Sequence, residues 1–587
     1  MANSLFRTKK ISSILAEEEY AEGHGSGLKR VLNVRDLTFF GIAAIIGAGS
    51  FSSLGDAVFK GGPGVVLLFV ITGIACAFTA LCYSEFASRI PVAGSAYTYS
   101  YASFGELFAW IIGWALIMEY SIGNIYVAFS WSDYFTSLMN KLNFHFPEYL
   151  SCSYREAHKA VIDGTANAEL LNAWNNAPLV GGLRIIFDLP ALIINALITY
   201  LVYRGVRESR NFSNVMVVLK LCIVALVIIV GGALVFSHGL TFNWQPPNDN
   251  GVRTFMPNGF AGVMKAVSGV FFAYIGFDAV SVLAEESKNP QRDLPKGMIY
   301  SLVICTIVYI LLALVLTGAV NFRNFNGVGD PLAFIFEKQN LNLGWMQIIV
   351  AVCAVIAMTS VLLVFQMGQP RIWMSMSRDG LLPPVFQKIH PKYKTPSFST
   401  IVTGLVVGIP ILFTDKTFVL DFTSIATLFA FVLVCGGVLL IPKKEKISGR
   451  FNIPYVNGQF IFPLIIVTAI VLISVYAKNY FRDAFDLNFS TNEDYVQGKA
   501  SFMDLATPKI SIIVFWLICI LLSVLAFIKK YSLIPLMGVT TCLYLLTGMT
   551  KSNWAWFFSW LVLGLVVYFL YGNKNSHLAK NTIGVAS

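Results

Sequence analysis

The chain has 587 residues, 56% of them hydrophobic and only 13% charged. Soluble domains carry roughly 25% charged residues, so a water-soluble globular protein is excluded, and recurring apolar runs of about 18 residues or more mark a polytopic membrane protein. The formal charge of +10 belongs to basic loops that orient such a protein toward the cytoplasm, and not to a nucleic-acid surface.

Residues 1–35, with Lys9, Lys10, Glu17, Glu18 and Glu19, lack the apolar core of a secretion signal and read as a cytoplasmic tail. Apolar segments then start near Leu37, Val65, Leu107, Leu189 and Val215, giving five spans over 36–237. Five more, near Phe260, Met298, Trp345, Phe398 and Leu420, fill 238–441. Four additional spans near Phe460, Ile510, Leu533 and Trp554 fill 442–572, and 573–587 form a second tail. An even total of about fourteen puts both termini on one side. Basic clusters at Arg204, Arg207 and Arg210, at Lys288, Arg292 and Lys296, at Arg371 and Arg378, and at Lys443, Lys444 and Lys446 each follow an even-numbered span and assign that side to the cytoplasm. An integral protein of the cell membrane is expected.

Nine cysteines stand singly, among them Cys76, Cys82, Cys222, Cys353 and Cys435 within apolar runs. They read as small core residues, with no disulfide framework, metal site or cofactor implied. Trp110, Trp114 and Trp554, like most of the aromatics, read as lipid-facing or interfacial anchors, and the run Tyr97 to Tyr101 as an interfacial belt between spans two and three.

Glycine interrupts the first span at Gly47-Ala48-Gly49-Ser50 and the sixth at Tyr274-Ile275-Gly276-Phe277-Asp278. Breaks at matching positions of two five-span units point to an inverted-repeat transporter with a site at the bilayer midplane. The expected fold class is therefore an all-α polytopic membrane protein with a 5+5 core and broken helices one and six. Unpaired backbone is tolerated at that depth only where it lines a cavity or is buried in protein. N–H groups around Ala48, Gly49 and Ser50 would attract a carboxylate, and carbonyls of Ile45, Phe272, Ala273 and Ile275 would accept from an ammonium. An amino acid carries both groups. Close helix packing through small residues is the alternative reading of these glycines.

Three buried charges need a reason. Glu119 lies near the middle of span three, where a charge costs roughly 2.5 to 3.5 kcal/mol even on a lenient scale. Lys220 lies about six residues into span five, within snorkelling distance of the interface. Asp278 sits beside the second break and could cap the broken half-helix.

The blocks Gly41 to Gly49, Ser84 to Tyr99, Gly276 to Val280 with Ala284 to Pro295, and Gly368 to Arg371 with Met376 to Leu381 resemble the cationic amino acid transporter family of the amino acid-polyamine-organocation superfamily. The resemblance covers roughly the first 400 residues and departs from the family pattern at Ser50, Ala115 and Gln366. It implies alternating access, substrate held at the two breaks, an aromatic gate at Phe272 and a proton-responsive acid at Asp278. It also implies a transport role for Glu119, and that Lys220 replaces the sodium of related carriers, facing span-one carbonyls and the hydroxyls of Thr359 and Ser360.

Secondary transport of a cationic or small neutral L-amino acid with a proton is the expected function. Uncoupled exchange, and then sodium symport, rank below it. An intramembrane enzyme is the alternative class, but the sequence has no H-E-x-x-H pair, serine elbow or phosphate loop. The partners expected are amino acid, proton and membrane lipid, without nucleic acid.

Overall fold

The computed structural model describes residues 5–9, 32–47, 49–90, 95–162, 168–205, 210–248, 251–393, 395–440, 451–490, 495 and 501–579. Ala48, most of the expected N-terminal tail and the basic cluster Lys443 to Lys446 lie outside them. Among the described residues, nine helical stretches are long and apolar enough to cross a bilayer. The first of these, Val34–Arg89, holds two crossings that turn at Gly62-Pro63-Gly64. Three shorter apolar helices, Leu189–Arg204, Ser397–Ile411 and Leu533–Leu546, and the interrupted segment 259–286 complete fourteen spans.

Local chemistry sets where the spans begin. Span one starts at Asn33, whose side chain accepts the N–H of Arg35 and of Asp36 while the Asp36 carboxylate accepts the Asn33 N–H. Two donors that a helix start leaves unpaired are satisfied reciprocally. Span four, Leu189–Arg204, starts at Asp188, which takes the Ala191 N–H at 2.9 Å and the Ser132 hydroxyl at 2.6 Å. Proline in its first turn needs no donor.

Span three, Glu106–Lys141, is the longest helix and lies along span eight, Gly344–Arg378, and span ten, Lys416–Leu440. Span seven, Pro290–Ala319, packs on spans one and two. Spans four, eight and nine meet around a buried polar group: Gln366 donates to Asn195 at 2.5 Å and accepts from Thr199 at 2.9 Å. The polar intrusion at Gln366 is thus paired inside the bundle. Spans eleven and twelve, Gly458–Tyr476 and Phe502–Lys529, pair with each other around Phe462, Ile466, Phe515 and Cys519, a cluster separate from the main core.

Several expectations are corrected. Trp110 and Trp114 do not face lipid; they are buried against span fourteen, Lys551–Val567, where the Trp114 and Trp560 indoles each donate to the other's carbonyl, at 2.9 and 3.1 Å. The Trp110 indole donates to Gly564. The Tyr97 to Tyr101 run is no interfacial belt: it forms a linking helix, Ser95–Ser103, with Tyr97, Tyr99 and Tyr101 fully buried. Cys222 is exposed, unlike Cys76, Cys82, Cys353 and Cys435. In each case the sequence shows an apolar residue without showing whether lipid or protein covers it.

Two ends of the bundle can be told apart. One, the loop face, carries the connection between spans three and four, which folds into helices Tyr154–Ile162 and Ala168–Asn176 and a two-residue ladder of Leu179–Val180 with Leu183–Arg184. Arg155 of this connection pairs with Asp415 at 2.8 Å and lies 4.8 Å over the Phe418 ring. The other end, the tail face, carries residues 5–9, the linking helix and the last residues of span fourteen.

Candidate substrate site

Both sequence-marked breaks are present, and they touch. Span one is α-helical through Val34–Ile45 and resumes as a wide turn, Gly49–Ser53, continued by Leu54–Gly61. Span six is helical to Phe272 and resumes as a tight helix, Asp278–Glu286. A Cβ on Gly49 would stand 2.5 Å from the Ala273 Cα. Gly276 has φ +113, and a Cβ there would lie 3.0 to 3.1 Å from Ala44. Each break thus needs glycine so that the other's main chain can approach, and Gly276 also needs it for a conformation that L side chains avoid.

The backbone accounting separates the expected ligands. The Ser50 N–H and hydroxyl both turn back to the Gly47 carbonyl, at 3.1 and 3.0 Å, and Phe51 N–H joins them at 3.0 Å. The Ile45 carbonyl receives the Tyr309 hydroxyl at 2.8 Å, and the Phe272 carbonyl receives Ile275 N–H at 3.2 Å. Among the described residues no hydrogen bond involves the Gly49 N–H or the carbonyls of Ala273 and Ile275. A donor on one break and two acceptors on the other thus carry no hydrogen bond among the described residues close to where the two main chains touch, which suits a ligand with an anionic and a cationic end.

Lys220 of span five is 2% exposed and reaches the break from the side, donating to Ser360 at 2.5 Å and to the Ala43 carbonyl at 3.3 Å. It joins spans five, eight and one, and it does not snorkel. Thr359 is elsewhere: its hydroxyl accepts the Trp131 indole N–H at 2.9 Å. Neighbouring residues on a helix point about 100° apart, so only one of the two hydroxyls can face the lysine.

Glu119 is 3% exposed, and its Oε2 has no hydrogen-bond partner among the described residues. Asp278, 2% exposed, lies within electrostatic reach of it at the start of the resumed half of span six. Asp278 is the first residue of the resumed helix, whose cap position is Phe277, and no side chain caps that helix, so the expected capping role is not what the structure shows.

Toward the loop face the site is covered. The Phe272 ring packs on Tyr126 at 4.4 Å, and the Lys416 ammonium lies 5.7 Å over Tyr126 while pairing with Asp133. Ser52 donates to the Gly329 carbonyl at 3.1 Å, and Tyr134 to the Phe51 carbonyl at 2.6 Å. In the adjoining loop, burial pushes the Asp330 carboxyl up to about 6, opposed by Lys141 and by the Ser137 hydroxyl.

Sequence reasoning missed Tyr309, Tyr126 and Lys416. An isolated tyrosine in an apolar run carries no signal of the carbonyl it will meet. The opposite charges of Asp133 and Lys416, both near span ends, were the legible hint.

Residues 32–491 match the amino acid permease family model, and residues 531–576 match the model for the C-terminus of such permeases. The branched-chain amino acid permease BcaP of Bacillus subtilis is 36% identical over 98% of this chain and 100% of its own length. The methylthioribose transporter of the same organism is 34% identical over 98% of this chain and 100% of its own length. The human cationic amino acid transporter 4 is 28% identical over 94% of this chain and 88% of its own. With two touching helix breaks inside a fourteen-span bundle and a family match over most of its length, the chain belongs to the amino acid permease family and is an amino acid transporter, not an enzyme.

Proposed function

We propose that the chain takes up a cationic or small neutral L-amino acid together with a proton, by alternating access across the cell membrane. The observation that carries the coupling is Lys220, whose ammonium is held by Ser360 and by the Ala43 carbonyl one turn before the break. An ammonium in that position answers to whatever the break holds, because both draw on the same short stretch of span-one backbone. Desolvation favours the neutral amine and the two oxygens favour the cation, so a change in water access moves the proton. Glu119 and Asp278 supply carboxyls on the tail-face side of the same break.

In this reading spans one to five (36–237) and six to ten (238–441) are the two inverted units, and spans eleven to fourteen pack outside them. The tail face is cytoplasmic in this reading, which the basic residues Lys288 to Lys296 at the start of span seven and Arg371 to Lys392 at and beyond the end of span eight support. The substrate's carboxylate meets the Gly49 N–H, its ammonium meets the Ala273 and Ile275 carbonyls, and Phe272 closes over it. The relatives' names widen the side-chain question, since they include branched-chain and cationic amino acids and methylthioribose.

Uptake of labelled amino acids into proteoliposomes, with and without an inward acid gradient, tests this. Wild type is accelerated by the gradient; Lys220→Ala loses that acceleration, and Glu119→Gln loses most of the uptake. Acceleration that persists in Lys220→Ala overturns the coupling and leaves facilitated exchange. Ligand-dependent melting shifts across alanine, leucine, lysine, arginine and methylthioribose rank the substrates.

A further inference from the structure

Glu106 opens span three at the tail face and is fully buried, yet it belongs to neither break. Three separate parts of the chain converge on its carboxylate: Tyr101 of the linking helix at 3.1 Å, Tyr568 and Ser576 beyond span fourteen at 3.0 and 2.5 Å, and Arg7 at 3.5 Å. The first N–H groups of a helix have no acceptor within it. Here Glu106 N–H is taken by the Arg7 carbonyl and Leu107 N–H by the Leu5 carbonyl, at 2.9 and 3.1 Å, while Lys9 N–H reaches Tyr101. Gly105, at φ +96, makes room: a Cβ there would lie 2.6 Å from the Phe6 carbonyl.

A second anchor repeats the pattern at the end of span eight. The Asp379 carboxylate takes Lys9 at 2.9 Å and the Tyr97 hydroxyl at 2.6 Å, and its carbonyl takes His577 N–H at 3.1 Å. The linking helix is thereby gripped at Tyr97 and Tyr101 from the tail side. On its other side, Ser281 of the broken half of span six meets Ser95 at 2.9 Å and bonds the Asp278 carbonyl at 2.6 Å. The linking helix is thus sandwiched between the two chain segments and the tight helix that begins at Asp278.

We propose that Glu106 is the positioning residue of a tail-face latch. Residues 5–9 and 568–578 gather on its carboxylate, press the linking helix onto the 278–286 helix, and must release before substrate leaves on that face. This deepens the alternating-access reading and rests on it. Charge-assisted hydrogen bonds to a buried carboxylate are strong, and losing one donor loosens the others' shared anchor.

Hydrogen–deuterium exchange on the full-length protein in nanodiscs tests the latch without any substrate. In Ser576→Ala and in Tyr568→Phe, peptides covering 95–103 and 278–286 are expected to exchange about tenfold faster, the factor for roughly 1.4 kcal/mol. Glu106→Gln is expected to exceed either, and Ser576→Thr, which keeps a hydroxyl, to return to the wild-type rate. Faster exchange confined to 5–9 and 568–578, with 95–103 and 278–286 unchanged, overturns the proposal. If Glu106→Gln does not fold, the two donor variants, which keep the carboxylate, decide. Absent uptake by wild type would refute the transport reading without altering these rates, so the two failures are distinguishable.

Discussion

At Gly49 and Gly276 a missing side chain lets main chain meet main chain, whereas at Gly564 it lets the Trp114 indole lie against span fourteen. The first pair exposes backbone dipoles at the middle of the bundle. The second buries apolar rings, with Trp110, Trp114, Trp560 and Tyr568 in contact along one seam. The same residue type thus brings main chain together in one region and serves adhesion in the other. The difference lies in what a new methyl group would strike: main chain at a break, or the ring of a buried indole.

That contrast is open to direct attack. The largest effect is expected for Gly276→Ala, which forces φ +113 on an L residue and drives a methyl against Ala44. Strain of this kind costs about 1–3 kcal/mol before the clash is counted, and uptake should vanish; Gly49→Ala should lower it at least about tenfold. If both variants transport as wild type, the breaks are not the site. Gly564→Ala is expected to cost about 1–3 kcal/mol of stability through overpacking while uptake survives, read by melting temperature beside initial rate. Loss of uptake without loss of stability there would erase the distinction between the regions.

A smaller effect belongs to Tyr309→Phe, which withdraws one donor from the Ile45 carbonyl. A hydrogen bond of about 1 kcal/mol corresponds to roughly a fivefold change. It is expected in KM rather than in maximal rate, because a carbonyl of the site is left unmatched. The smallest concerns the loop face. Burial raises the Asp330 carboxyl to about 6 from its ordinary 3.8, so the folded form holds that proton more tightly than the unfolded one. The group's contribution to stability is therefore fullest below pH 4 and is lost as pH rises through 6. A melting series should decline over that window and flatten in Asp330→Asn.

The fourteen spans, both breaks and the buried positions of Lys220, Glu119 and Asp278 were legible because length, hydropathy and glycine position are properties of a residue and its near neighbours. Partnership across hundreds of residues was not. Nothing local distinguishes Ser360, which holds Lys220, from Thr359 beside it, which holds Trp131. Nothing in the Tyr97 to Tyr101 run foretells that segments near residues 7 and 576 will close over it. Apolar residues facing lipid and facing protein share one composition, so Trp110 and Trp114 could be placed in the bilayer but not turned toward span fourteen.

Span three runs from Glu106 to Lys141 without a proline or a break. At 1.5 Å per residue its 36 residues make a rod of about 54 Å, well beyond the roughly 30 Å of hydrocarbon. One end holds the carboxylate on which the tails gather, the middle holds Glu119, and the far end offers Asp133 to Lys416. One unbroken helix thus joins both mouths of the protein to its middle, and the three carboxylates it carries stand at a fixed spacing along it.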